Sequence, residues 1–218
     1  MRITWYGHSA FLVEAEDGTR IILDPYRSGA FGGALRYGPI AEPADAVVAS
    51  HTHDDHGAVD TIPGRPRVLI EPTLAEVGRV TIRGVPADHD AVHGAERGHE
   101  TILVLEDSGM RLVHLGDLGH ELDQATVDRI GKTDVLLIPV GGYFTIDAAT
   151  AAGVVDSLAP RIVVPMHYKT DKCDFPIASV EDFLATQDAV LRMDTSAFTV
   201  TTTNLPAERT IYVPTSAR

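Results

Sequence analysis

Ser50-His51-Thr52-His53-Asp54-Asp55-His56-Gly57 packs three histidines and a further ligand type, Asp55, into a short string directly after the apolar run Ala46-Val47-Val48-Ala49. A short apolar run that ends in a polar string reads as a buried strand opening into a loop, so the histidines emerge where the strand stops. Residues two apart in an extended segment project to the same side, and His51 and His53 can therefore chelate one ion together. Asp55 and His56 follow where the chain must turn, and can point at a neighbouring position. The string thus predicts two adjacent metal sites. A lone His-x-His pair arises readily by chance, but every further ligand type at the right spacing makes chance a poorer account.

The rest of the chain repeats the theme of a strand ending in a candidate ligand. Strands are predicted over Ile3–Tyr6, Ala10–Glu14 and Arg20–Leu23, with a turn at Asp17-Gly18, and Asp24-Pro25 closes the third because proline cannot continue a ladder. Tyr26 to Pro43 reads as a glycine-rich loop at the mouth of the site, either a lid with aromatic and arginine contacts or an interface in a homo-oligomer. Beyond the string, strands are expected at Val68–Ile70 and Val80–Val85 around a short helix near Thr73–Val77, and a hairpin joins Thr101–Glu106 to Met110–Leu115. A helix is predicted over Gln124–Ile130, then a strand over Asp134–Val140, and a helix over Ala148–Leu158 with Asp147 as its N-cap. Ile162–Met166 reads as a buried strand, Ser179–Thr186 as a helix start with a capping-box-like Ser179-x-x-Asp182, and Phe198–Thr201 with Thr210–Val213 as a last pair of strands. His51, His53, Asp55, His56, His89, Asp117 and His167 each follow an apolar strand, where loops converge while the sheet fixes their roots. Strand-rich halves interspersed with helices suit an α/β fold, a four-layer αββα sandwich in one domain spanning residues 1–218.

Together with Gly7-His8-Ser9-Ala10 and Pro165-Met166-His167-Tyr168, the H-x-H-x-D-H string resembles the signature of the metallo-β-lactamase fold superfamily, in its Zn-dependent hydrolase branch. The resemblance implies that His51, His53 and His89 bind one metal, that Asp55, His56 and His167 bind a second, and that Asp117 bridges them. It implies zinc as the default, with manganese or iron also compatible with mixed nitrogen and oxygen ligands. It also raises Asp24 from a turn residue to a carboxylate that orients a metal-bound histidine. His93 and His99 compete with His89 from the same loop but lie further from the preceding strand end. His8 is placed near the site without being counted a ligand, and His120 has no argument beyond its type.

Two ions sharing a water would lower its pKa towards neutrality and polarise an electrophilic oxygen, which suits hydrolysis of phosphodiesters, lactones, esters or thioesters. Asp55, His114, Tyr143 and Tyr168 are the candidates for leaving-group protonation, and Asp55 and His114 are the two residues expected to be catalytic. No G-x-S-x-G or G-x-x-x-x-G-K-[ST] motif competes. Rival readings are a non-catalytic metal-binding sensor or scaffold and a metal-dependent nuclease.

Composition bounds these choices. The 218 residues carry 44% hydrophobic and 22% charged side chains, an ordinary globular balance. The net charge of −13 argues against broad binding to nucleic acid or anionic membrane and leaves a small-molecule substrate as the expected partner. Two dications would offset about four of those charges locally. Cys173, the single cysteine, excludes an internal disulfide and is read as incidental. With no signal-like segment at the start and no apolar run of ~18 to 20 residues, a cytoplasmic protein is expected.

Overall fold

The computed structural model describes residues 1–218. In chain order the elements are β1 (Arg2–Gly7), β2 (Ala10–Glu14), β3 (Arg20–Leu23), a helical turn α1 (Ala30–Gly33), β4 (Ala46–Ala49), β5 (Arg67–Ile70), β6 (Leu74–Val77), β7 (Val80–Asp88), β8 (His99–Asp107) and β9 (Met110–His114). The second half continues with α2 (Gln124–Ile130), β10 (Val135–Pro139), α3 (Ala148–Leu158), β11 (Ile162–Met166), α4 (Val180–Leu184), β12 (Val190–Arg192), β13 (Ala197–Thr199) and β14 (Thr210–Val213). They form two mixed sheets, one ordered β13-β1-β2-β3-β4-β5 and the other β12-β14-β11-β10-β9-β8-β7-β6. No helix is long and apolar enough to cross a membrane.

Side-chain alternation explains the stacking. Ile3, Trp5, Phe11, Val13, Ile21, Leu23, Ala46 and Val48 join the main core with residues of the second sheet, whereas Tyr6, Leu12, Ile22 and Val47 belong to a separate apolar cluster with Leu35, Tyr37, Cys173 and Phe175. Strands β1 to β4 of the first sheet are thus buried on both faces, which is why they read as continuous apolar runs, whereas the edge strand β5 is largely exposed. Helices α2 and α3 lie against β7 and β10 of the second sheet. The matching outer layer on the first sheet is thin: the stretch 26–43 covers it, with Tyr26, Leu35, Tyr37 and Ile40 buried and Tyr37 Oη 2.7 Å from Thr170 Oγ1. This is the four-layer αββα sandwich with one α layer largely replaced by anchored loop.

Three sequence expectations are corrected. Leu74–Val77 is not helical but pairs antiparallel with β7, Leu74 opposite Arg83 and Val77 opposite Val80. The good helix formers Leu, Ala and Glu yield there to a two-residue period that buries Ala75 and Val77 and exposes Leu74 and Glu76. The two C-terminal strands do not pair with each other: β13 joins β1, and β14 lies beside β11 in the other sheet. Asp147 does cap α3, accepting from Thr150 N at 2.9 Å, but Ser179 makes no side-chain cap bond at the five-residue α4.

A candidate metal centre at the strand ends

Six strands deliver their following residues to one region: His8 after β1, Asp24 after β3, Ser50 and His51 after β4, His89 after β7, His114 to Asp117 at the end of β9, and His167 after β11. Three of these, His8, Asp24 and His167, have positive φ angles of 51°, 43° and 51°. Left-handed backbone at non-glycine residues costs on the order of 1–3 kcal/mol each and persists where surrounding structure enforces it, commonly at functional sites. Gly119 brings the Asp117 turn against the His89 strand end, since its N–H donates to Asp88 O at 3.0 Å and a Cβ there would collide with the His89–Asp90 backbone.

The side chains gather in overlapping clusters: His8, Asp55, His56 and His167; His51, His53 and His89; and His51, His56 and Asp117. Asp117 stands between the first two, with Oδ1 2.9 Å from His56 Nε2 and 3.3 Å from His167 Nε2, and Oδ2 3.1 Å from His89 Nε2 and 3.7 Å from His51 Nε2. A buried frame beneath them sets the ring orientations. Asp24 accepts from Ser50 N, Ser50 Oγ and His56 Nδ1, each at 2.7 Å, which turns His56 Nε2 towards the centre. The Ser50 hydroxyl gives its one proton to Asp24, so His51 donates Nδ1–H to Ser50 Oγ across 3.0 Å and presents Nε2. Glu100 Oε2 accepts from Asp117 N at 2.5 Å and fixes the root of the central aspartate.

The donor set fits metal ions. His167 Nε2 and Asp55 Oδ1 are buried polar atoms without a hydrogen-bond partner, and His56 Nε2 and Asp117 Oδ1 meet as an ion pair 2.9 Å apart. An unmet buried polar atom costs about 1–3 kcal/mol, and two of them aimed at the region of a buried His–Asp pair are the pattern of ligands around cations. The protonation states of two histidines point the same way, and a third must lose a proton before it can bind. Burial pushes His51 down to about 4 and His167 down to about 3, so both rings are neutral at pH 7 and have lone pairs to offer. For His56 burial acts downward too, but the Asp117 and Asp24 carboxylates outweigh it and hold the imidazolium well above the usual range. Burial works against the Asp117 charge, yet His167 and His56 keep its carboxyl well below the usual range. Glu100, buried beside Asp117, is pushed far up and stays protonated.

All seven metal-ligand candidates read from the sequence lie in these clusters, and His89, not His93 or His99, is the histidine of its loop that does. The side chains of His93 and His99 are 96% and 74% exposed beside Asp88. His8 also belongs: its Nε2 is 3.3 Å from Asp55 Oδ2, and its ring centroid is 4.1 Å from that of His167. Over the centre lies a cavity of about 410 Å³ lined by His53, Asp55, His89, Asp117, Phe31, Phe144, Phe175, Glu96 and Arg97. His114 does not reach it. The structure buries this ring beneath the site, donating Nε2–H to Ser9 O at 2.9 Å and accepting from Gly116 N at Nδ1, so it cannot deliver a proton to substrate. Tyr168 is buried against Trp5, and Tyr143 is exposed at the rim. Phe31 belongs to the stretch Tyr26 to Pro43 expected to offer aromatic contacts, whereas Glu100, Ser50, Arg97, Phe144 and Phe175 carry no signal in the sequence that marks them for the site.

Comparison with known proteins agrees with this geometry. The β-lactamase superfamily domain matches residues 2–167. A UPF0173 metal-dependent hydrolase of Pyrobaculum calidifontis is 33% identical over 216 residues, covering 88% of this chain and 94% of its own. One from Archaeoglobus fulgidus is 28% identical over 213 residues, covering 84% and 89%. A crystal structure from Thermotoga maritima, classed with the Zn-dependent hydrolases of the metallo-β-lactamase superfamily, superposes with a TM-score of 0.79 at 36% identity over 98% of this chain and 97% of its own. The chain therefore belongs to the metallo-β-lactamase superfamily, among its metal-dependent hydrolases.

Proposed function

We propose that the protein is a dinuclear hydrolase of an ester-type bond, whether phosphodiester, lactone, carboxylic ester or thioester. His51, His53 and His89 hold one ion, Asp55, His56 and His167 hold the other, and Asp117 bridges them. The observation that carries this reading is Asp117, whose two carboxylate oxygens face different histidine clusters at 2.9 to 3.7 Å. Zinc is the favoured metal, because neutral imidazoles dominate the donor set and the Thermotoga maritima relative is described as Zn-dependent. Two such ions supply an acidified water and a Lewis acid for the developing charge.

The protein's own part is orientation. Asp24 and Ser50 aim His56 and His51, and Glu100 holds Asp117. His8 donates to Asp55 Oδ2 and leaves Oδ1 free to face the centre. Burial raises the Asp55 pKa, but the His8 hydrogen bond and the His56 charge more than reverse it, so the carboxyl lies below its usual range. Asp55 therefore suits a metal ligand rather than an acid. The open cavity over the centre favours catalysis over a closed structural site.

The test is a panel of 4-nitrophenyl acetate, bis(4-nitrophenyl) phosphate, a thioester and a lactone, with metal content measured on the same sample. The reading predicts about two ions per chain and turnover of at least one compound, abolished by chelation and by Asp117→Ala. Full activity in Asp117→Ala, or in the chelated protein, refutes it.

A further inference from the structure

The cavity has two chemically different walls besides its metal ligands. On one side Phe175 meets Phe31 and Phe144 edge-to-face, with centroids 5.2 and 5.6 Å apart. Phe31 is 54% exposed and has φ 55° and ψ 45°, a left-handed conformation for a bulky residue inside a glycine-rich turn. Beyond its contact with Phe175, an exposed aromatic ring held in strained backbone at a cavity mouth adds little to folding, and it offers apolar surface to a bound molecule.

On the other side stands Arg97, the one Lys or Arg lining the cavity. Its position is fixed by Asp90, which follows His89 directly. The buried Asp90 carboxylate accepts four backbone N–H groups, from Val92 and Gly94 at Oδ1 and from Glu96 and Arg97 at Oδ2, all at 2.8 to 2.9 Å. The loop is wound around that carboxylate, so the root of Arg97 is tied to the strand end that carries His89. The guanidinium lies 6.0 Å from the Phe144 ring centroid and makes only long contacts, to Tyr143 O at 3.3 Å and Glu96 Oε2 at 3.5 Å. Of its five N–H donors most remain free.

We infer that the substrate carries an apolar group of about the size of a benzene ring, clasped by Phe31, Phe144 and Phe175, and an anionic oxygen group that pairs with Arg97 while the reacting bond lies over Asp117. The inference rests on the hydrolase reading for the position of the reacting bond, but the two recognition walls stand on their own geometry. A cavity lined by three carboxylates, Asp55, Asp117 and Glu96, the last 3.5 Å from Arg97, needs a fixed cation to hold an anionic group away from Asp55 and Asp117 once the ions are engaged with the reacting oxygens.

Three probes separate the walls: benzylsuccinate, which has a ring and two carboxylates; 3-phenylpropionate, which lacks the second carboxylate; and succinate, which lacks the ring. Titration calorimetry on the zinc-loaded protein is expected to show benzylsuccinate binding at least about tenfold tighter than either of the others. Arg97→Gln should erase the advantage over 3-phenylpropionate, and Phe144→Ala or Phe31→Ala the advantage over succinate, with thermal denaturation confirming that each variant is folded. Equal binding of the three probes, no saturable binding, or advantages that survive these substitutions overturn the inference. Hydrolysis of the generic panel without the probe pattern removes the subsites and leaves the reaction. The probe pattern without metal-dependent hydrolysis removes the reaction and leaves the subsites.

Discussion

The two halves of the metal centre share residue types and one aspartate, yet one is sealed and the other is open. His8, Asp55, His56 and His167 are all buried, whereas His51 and His89 share their cluster with the exposed His53. The sealed half contains or rests on His8, Asp24 and His167, the three left-handed residues of the site, and the open half contains none. Strain, burial and direct contact with the Asp24 carboxylate are concentrated in the sealed half, and the open half keeps regular strand ends. The open half borders the cavity through His53 and His89, and the sealed half reaches it only through Asp55. On the proposed reading the sealed half is the fixed platform and the open half the face that meets substrate.

Asp117→Ala gives the largest effect and tests whether the halves are one unit. If the aspartate bridges, its removal should lower turnover more than about hundredfold and deplete both ions, since both halves lose a ligand and their mutual repulsion is unscreened. Loss of a single ion by elemental analysis would show two independent sites. Asp24→Asn comes next. Asp24 grips His56 and, through Ser50, His51, but it touches His56 directly, so zinc affinity should fall about 10- to 100-fold, mainly at the sealed half. Competition with a chromogenic chelator resolves the two steps, and equal weakening of both would remove the platform distinction.

Which parts of this arrangement could be read from the chain follows from the range of the signals. The string from Ser50 to Gly57 is local, and strand ends are local, so His51, His53, Asp55 and His56 could be placed together without a structure. His89, Asp117 and His167 gained their partners from the family resemblance, not from spacing. His8 was held back because its neighbour is 159 residues away in sequence: His167 N donates to His8 O at 3.3 Å, an approach between two sheets that no local pattern announces. Glu100 did leave a trace, a charge opening the apolar run Thr101–Leu105, but a strand start is an ordinary place for a solvated glutamate. In the fold, Leu74–Val77 misled because propensity was weighed above a two-residue period, and β13 and β14 because strand partners are chosen over distances that the sequence does not encode locally.

Proton release distinguishes the halves more finely. In the metal-free protein His56 carries a proton at pH 7, because Asp117 and Asp24 outweigh the effect of burial. An ion must displace that proton, so affinity at the sealed half should rise about tenfold per pH unit through neutrality, towards the raised pKa of His56. At about 4, His51 is already neutral and releases nothing when the open half fills near pH 7. Calorimetry at pH 7 in buffers of different ionisation enthalpy should count about one proton more for the sealed half than for the open half, and equal counts would remove the distinction.

The smallest effect concerns stability without metal. His53→Gln alters an exposed side chain that faces the cavity and solvent and hydrogen-bonds to the core only through His51, whose Nε2 lies 3.1 Å from His53 Nδ1, so the metal-free protein should unfold within about 0.5 kcal/mol of the wild type in urea. His167→Ala removes a fully buried ring packed 4.1 Å from His8 and leaves a void, which should cost about 1–3 kcal/mol. Yet each substitution deletes one ligand and should release about one ion from the loaded protein. Similar metal loss with unequal cost in folding is what a platform and an open face require. A His53→Gln protein as destabilised as His167→Ala would mean that the open half is also built into the core, and substrate would then have to enter from elsewhere.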